Sequence, residues 1–244
     1  MSRIPLILVP GLMCDAAAWA PQSEALADVA EIRIAEHGTL DSLIAMAERI
    51  LAQAPRRFAI AGHSMGGRVA LEVMRRAGSR VQALALLDTG YQALAAGAAG
   101  ERERAERESL LELARREGMT AVGRRWLRIP MIHVERLGDA ALVDGILQMI
   151  GRSSIEQFEA QVRALLQRPD ASEVLTRISC PTLVLCGADD AWSVLATHRE
   201  MATRIPGSEL VSIARCGHMA TLERPGEVSA ALRRWLTGGG GDRA

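Results

Sequence analysis

Lysine is missing from this chain: all 29 of its basic side chains are arginine. That excludes a Walker-type phosphate lysine and a lysine Schiff base. Asparagine is missing too, which excludes N-linked glycosylation sites. A codon-biased genome explains both absences more simply than selection on function. Net charge is also lacking. The 29 basic groups face 29 acidic ones, so there is no basic footprint for a nucleic-acid partner. The four cysteines, Cys14, Cys180, Cys186 and Cys216, are scattered with no CxxC spacing, so no metal site is expected. The apolar start "MSRIPLILVPGLM" is short and interrupted by Pro5 and Pro10. It reads as a buried strand, not as a signal peptide or a membrane span. With no export signal, the expectation is a cytoplasmic protein with reduced thiols and no membrane partner.

What is present is a chain of 244 residues, 49% hydrophobic and 24% charged. That suits one globular domain, or one domain with an insertion, with enough core to need neither disulfide nor metal. Ile4 to Pro10 is a continuous apolar run, as in a strand covered on both faces. "EIRIAE" is a short alternating strand. "TLDSLIAMAERILAQA" carries Leu43, Met46, Ala47 and Ile50 at helical spacing, with Thr39 or Asp41 as cap. "RFAIAGH" is a strand, "MGGRVALEVMRRAG" a helix closed by Gly78, and "VQALALLD" a strand. This alternation predicts a mostly parallel sheet with helices on both faces. From Tyr91 to Ile178 only helical patterns appear, and then the alternation resumes. The expected organisation is a core of 1–90 and 179–237, a helical cap over 91–178, and a mobile tail at 238–244.

The segment "GHSMG" fits G-x-S-x-G at a strand-to-helix junction. In such a nucleophile elbow a strained turn lifts the serine hydroxyl above the sheet, and the small flanking residues let strand and helix close up. The following helix presents its positive end to the nucleophile. Ser64 needs a base, and the base needs a carboxylate, in the chain order Ser, Asp or Glu, His. Of five histidines, His218 lies in a glycine-containing loop after the last strand, where the base belongs. His63 is expected to point away, His133 to lie in the insertion, and His198 to be solvated on a surface helix. Asp190 is the favoured acid, with Asp88 and Asp189 as rivals. The oxyanion donors are the amides of Met65 and Leu12, with Met13 as an alternative to Leu12.

With these residues in place the chain resembles the α/β-hydrolase superfamily over nearly its whole length. "PGLMCDAAAW" matches the oxyanion loop, "GHSMGG" the elbow, "CGADD" the acid loop and "CGHMATLERPGEV" the histidine loop and final helix. The resemblance implies a three-layer fold with a reduced sheet of about six strands, starting at what would be the family's third strand. It places the helical cap after the strand ending near Asp88. Two departures stand out: Pro10-Gly11 replaces the common His-Gly, and Val194 occupies a position where the family often has proline. A serine at the elbow argues against dehalogenases and epoxide hydrolases, which use aspartate there. Ester, thioester, lactone or C–C hydrolysis remains. Small methyl-ester carboxylesterases, including those acting on pimeloyl-carrier-protein esters, look similar, as do enol-lactone hydrolases and perhydrolases. The resemblance implies a small-molecule ester substrate, no cofactor, and a monomer or homodimer. Expected substrate contacts are Met13, Trp126 and Met131. Met119, Met131 and Met149 are candidates for an adaptable apolar pocket. Arg124, Arg125 and Arg128 read better as a solvated helix face than as an anion grip. A receptor without turnover and a lyase using the same triad are the rival readings.

Overall fold

The opening apolar run forms β1 (Ile4–Val9), buried over its last four residues. The computed structural model describes residues 3–128 and 131–238; the tail expected to be mobile lies, past Gly238, outside them. After β1 come α1 (Ala20–Ala25), β2 (Ala30–Ile34), α2 (Leu43–Gln53), β3 (Phe58–His63), α3 (Met65–Ala77) and β4 (Val81–Leu87). Five helices follow: α4 (Ala98–Glu117), α5 (Met119–Arg128), α6 (Ala140–Gly151), α7 (Ile155–Leu166) and α8 (Ser172–Leu175). No strand interrupts them among the described residues. Then come β5 (Thr182–Gly187), α9 (Leu195–Arg204), β6 (Glu209–Ile213), α10 (Ala220–Glu223) and α11 (Pro225–Thr237).

The six strands lie in the order β2-β1-β3-β4-β5-β6, and every pairing is parallel. Parallel crossovers are right-handed, so the direction of travel across the sheet decides which face a helix covers. The chain moves one way from β1 to β2 and the other way from β2 onward. That reversal sets α1 on one face, with α11 packed against it, and α2 and α3 together on the other. Interior strands β3 and β5 are buried along their full length, while edge strand β2 alternates exposed residues with buried or half-buried ones. Leu6, Leu8, Phe58 and Ile60 are fully buried. Each such side chain contributes about 1.5–3 kcal/mol relative to leaving it in water. The reversal also makes a switch point between β1 and β3, where Val9 pairs with Gly62. The crevice beyond the carboxyl ends of those strands is where open α/β sheets bind ligands.

Local details differ from the sequence reading in two places. Ser42, not Thr39 or Asp41, caps α2: it directly precedes the first helical residue in extended backbone and its Oγ accepts the Ile44 N–H. Gly78 is not a left-handed terminator; at φ −53° it continues α3 into a short 3-10 turn.

Candidate active site

A single residue, Ser64, joins β3 to α3, with φ 55° and ψ −118°. A β-carbon resists that conformation, at a cost of about 1–3 kcal/mol. Surrounding bonds hold it there. The Ser64 N–H donates to the Leu87 carbonyl at 2.9 Å, and the Ser64 carbonyl accepts the Thr89 hydroxyl at 2.6 Å and the Gly67 N–H at 3.0 Å. The flanking glycines have a steric reason. A β-carbon at Gly62 would collide with the Gly66 carbonyl, and one at Gly66 with the carbonyl of Val9 at the end of β1. Both obstacles are backbone and cannot swing aside. Gly66→Ala is therefore expected to destabilise the fold by about 3 kcal/mol or more, the upper range for overpacking. Urea unfolding measures this, and a midpoint equal to wild type would contradict the packing described.

The structure brings Ser64, His218 and Asp190 into one hydrogen-bonded chain. His218 Nε2 lies 2.9 Å from Ser64 Oγ, and its Nδ1 lies 2.8 Å from Asp190 Oδ2. The other Asp190 oxygen accepts the N–H groups of Trp192 and Ser193 at 2.8 and 2.9 Å. Burial alone would push the Asp190 carboxyl up. The His218 charge and these hydrogen bonds outweigh burial and hold the acid below the usual carboxylate range. The rival acids sit elsewhere. Asp189 is half exposed and faces His133 at 3.8 Å. Asp88 is fully buried and accepts the Gly187 N–H at 2.8 Å. Burial, then the Asp190 charge, pushes Asp88 well above the carboxylate range.

Sequence reasoning missed what holds the histidine loop. The buried Glu223 carboxylate, on α10, accepts backbone N–H groups from Gly217 and Met219 at 3.1 Å and from His133 at 2.7 Å. The His218 N–H donates to the Met131 carbonyl at 2.9 Å. His63 does not point away from the site. It is buried beneath this loop, and its Nε2–H donates to the His218 carbonyl at 2.7 Å. Nor is His198 solvated: it is fully buried because its face of α9 packs inward, and its Nε2 accepts the Thr89 N–H at 3.0 Å. His198 thus braces the residue whose hydroxyl braces Ser64.

The loop after β1 runs beside Ser64, so close that a β-carbon on Gly11 would stand 3.2 Å from the Ser64 β-carbon. Leu12 and Met65 border the same cavity as Ser64 and His218. The alternative donor, the Met13 N–H, is engaged by Gln161 Oε1 of α7 at 2.9 Å. Trp126 borders the cavity, edge-on to His218 at 6.5 Å between ring centroids. Met13 and Met131, expected beside the substrate, do not border it. Met13 faces a second cavity with Met149, and Met131 is packed in the core, contributing its carbonyl to the His218 loop. Met119 is likewise packed in the core. Arg124, Arg125 and Arg128 are exposed, as a solvated face requires. The arginines at the cavity are Arg68 and Arg107 instead. The space over Ser64 is small, about 70 Å³, against about 510 Å³ in the second cavity, so size alone would have pointed to the wrong place.

His37 lies behind the loop after β1, with Nε2–H donating to the Pro10 carbonyl at 3.3 Å. Burial pushes this imidazole from 6.5 down to about 4. Between those values the unfolded chain binds a proton that the folded chain refuses, so the contribution is intact above about 6.5 and falls with pH through the window. Wild type should lose melting temperature relative to His37→Gln between pH 7 and pH 4.5. Parallel melting curves across that range would contradict the buried neutral imidazole.

Residues 6–231 match the model of the Alpha/beta hydrolase family, and the chain belongs to that family. Among curated relatives it is 28% identical over 186 residues to the 2-succinyl-6-hydroxy-2,4-cyclohexadiene-1-carboxylate synthase of Serratia proteamaculans, covering 75% of this chain and 69% of the relative. It is 26% identical over 233 residues, 90% of each chain, to the pimeloyl-(acyl-carrier protein) methyl ester esterase of Nitrosomonas europaea. Its fold matches the malate-bound thermophilic esterase of Thermogutta terrifontis at a TM-score of 0.85, with 27% identity, covering 97% of this chain and 90% of that one. No described helix is long and apolar enough to cross a membrane.

Proposed function

We propose that this chain is a serine hydrolase that cleaves a carboxylic ester of a small molecule through an acyl-enzyme on Ser64. The broader statement, a hydrolase acting on ester bonds, rests on the family and its esterase relatives. The observation that carries the finer one is the hydrogen-bond chain from Ser64 through His218 to Asp190, built on a strained elbow.

The steps follow from that geometry. Asp190 holds the proton on His218 Nδ1, which leaves the Nε2 lone pair facing the serine hydroxyl. Ser64 Oγ bonds to the ester carbonyl carbon as its proton passes to Nε2. The carbonyl π pair moves onto oxygen, and the amides of Leu12 and Met65 receive that negative charge. The pair returns, the C–O bond to the alcohol breaks, and His218 gives its proton to the departing alkoxide. A water then attacks the acyl-enzyme, losing its proton to His218. Collapse releases the acid and restores Ser64. Asp190 stabilises the imidazolium in both halves, and no cofactor enters.

Similarity to a synthase favours one other reading, a lyase in which the triad does acid–base work alone and no acyl-enzyme forms. The two separate experimentally. Steady-state turnover of p-nitrophenyl acetate through butyrate, with a burst of one p-nitrophenol per site, is the result expected of a hydrolase. No turnover of these esters and no acyl-enzyme on Ser64 would favour the other reading.

A further inference from the structure

Two arginines in the cavity over Ser64 have no role in ester cleavage as such. Arg68 stands one turn into α3 from the nucleophile, and Arg107 comes from α4. A third, Arg168, lies behind them. Arg107 and Arg168 share one carboxylate, Glu103. Its Oε1 takes Arg107 at 2.8 Å, and its two oxygens take Arg168 at 2.7 Å each. Arg68 has no carboxylate within ion-pair distance among the described residues; its Nη1 donates to the Gln92 carbonyl at 2.7 Å. Nε and Nη2 of Arg107 both go to Glu103, leaving its Nη1 edge with no protein acceptor among the described residues. One carboxylate, Glu103, thus lies within ion-pair distance of the cluster among the described residues, with Asp170 and Glu106 acting from further off, and the arginines stand at the wall of a small cavity.

We propose that Arg68 and Arg107 form an anion subsite above Ser64, so that the ester cleaved here carries a free carboxylate a short chain from the scissile carbonyl. This rests on the serine-hydrolase reading of Ser64. A half-buried guanidinium without a counter-ion is costly, and a substrate carboxylate supplies the missing partner in the forked geometry arginine offers. Burial, then the charge of Arg168, pushes Arg68 from 12.5 down to about 9, which a nearby anion would offset. Arg107 is held over the Trp192 ring at 5.9 Å, and the Trp192 backbone N–H donates to Asp190, so the subsite is fastened to the acid loop. Ser64 and both arginines border the same cavity, which keeps the connecting chain short. The fitting class is the half-ester of a short dicarboxylic acid.

The test compares monomethyl glutarate with methyl pentanoate, followed by acid release at constant pH, in wild type, Arg68→Met and Arg68→Lys. Wild type should favour the anionic ester in kcat/KM by about tenfold or more. Arg68→Met should lower kcat/KM on the anionic ester by about 10- to 100-fold, the size expected for a lost charge-assisted hydrogen bond, and by much less on the neutral one. Arg68→Lys should recover part of the difference. No preference in wild type, or the same ratio in all three proteins, overturns the subsite. Calorimetry with glutarate separates this inference from the reaction it rests on. If wild type cleaves neither ester yet binds glutarate at least tenfold more tightly than Arg68→Met, the subsite stands and the ester reading fails. If it cleaves neither and glutarate does not bind, both fail.

Discussion

Ser64→Ala is expected to lower kcat on any ester substrate by about 10⁴-fold or more while leaving the fold intact. Replacing a hydroxyl by hydrogen removes the atom that forms the acyl bond, so no residual covalent route exists. The substitution is also gentle. The elbow backbone is held through the Ser64 N–H and carbonyl, not through the hydroxyl. The Leu12 and Met65 amides and the cavity remain, which keeps ground-state binding close to wild type. The signature is therefore a collapse in kcat with little change in substrate affinity and an unchanged melting temperature. Turnover within tenfold of wild type would remove Ser64 from the chemistry.

Asp190→Asn is expected to lower kcat by about 10³- to 10⁴-fold, through the tautomer of His218 and not through any loss of packing. The amides of Trp192 and Ser193 both donate to Asp190 Oδ1, so the carbonyl oxygen of the new amide must stay on their side. Its NH2 then faces His218 Nδ1. The imidazole must accept there and carry its proton on Nε2, where it can no longer take one from Ser64. Asp88→Asn is the control. Asp88 makes no contact with His218 and accepts the Gly187 N–H through Oδ1, a bond the amide oxygen of asparagine preserves. Its kcat should change by less than about tenfold, well short of the loss for a triad acid. Equal losses for both variants would mean that the acid has been misassigned.

The sheet was readable in the sequence because its signals are local. A continuous apolar run such as "FAIAGH" has few alternatives to a buried strand, and a glycine-flanked serine after it has a specific steric use. The positions of Ser64, Asp190 and His218 were reachable for the same reason, since each stands in the loop just past a strand end. What could not be read was orientation. The helices between β4 and β5 carry regular periodicity, but periodicity does not say which face meets the sheet. Arg107 was thus lost in a charged run, while Arg124, Arg125 and Arg128 drew attention for being clustered. Met131 lies nearby in the chain, but its carbonyl, not its side chain, meets the site. Gln161 and Glu223 act on backbone amides 148 and up to 90 residues away, which no local window reveals. One signal was overlooked. Arg68 follows Ser64 by four residues at the start of a helix, a spacing that puts both on the same side.

The most direct test of the central claim, that Ser64 is an activated nucleophile, is mass spectrometry after treatment with a fluorophosphonate. The account predicts one adduct per chain, located on Ser64, and strong loss of labelling in His218→Ala, because the hydroxyl needs its base. No adduct in wild type, or an adduct on another residue, would contradict it.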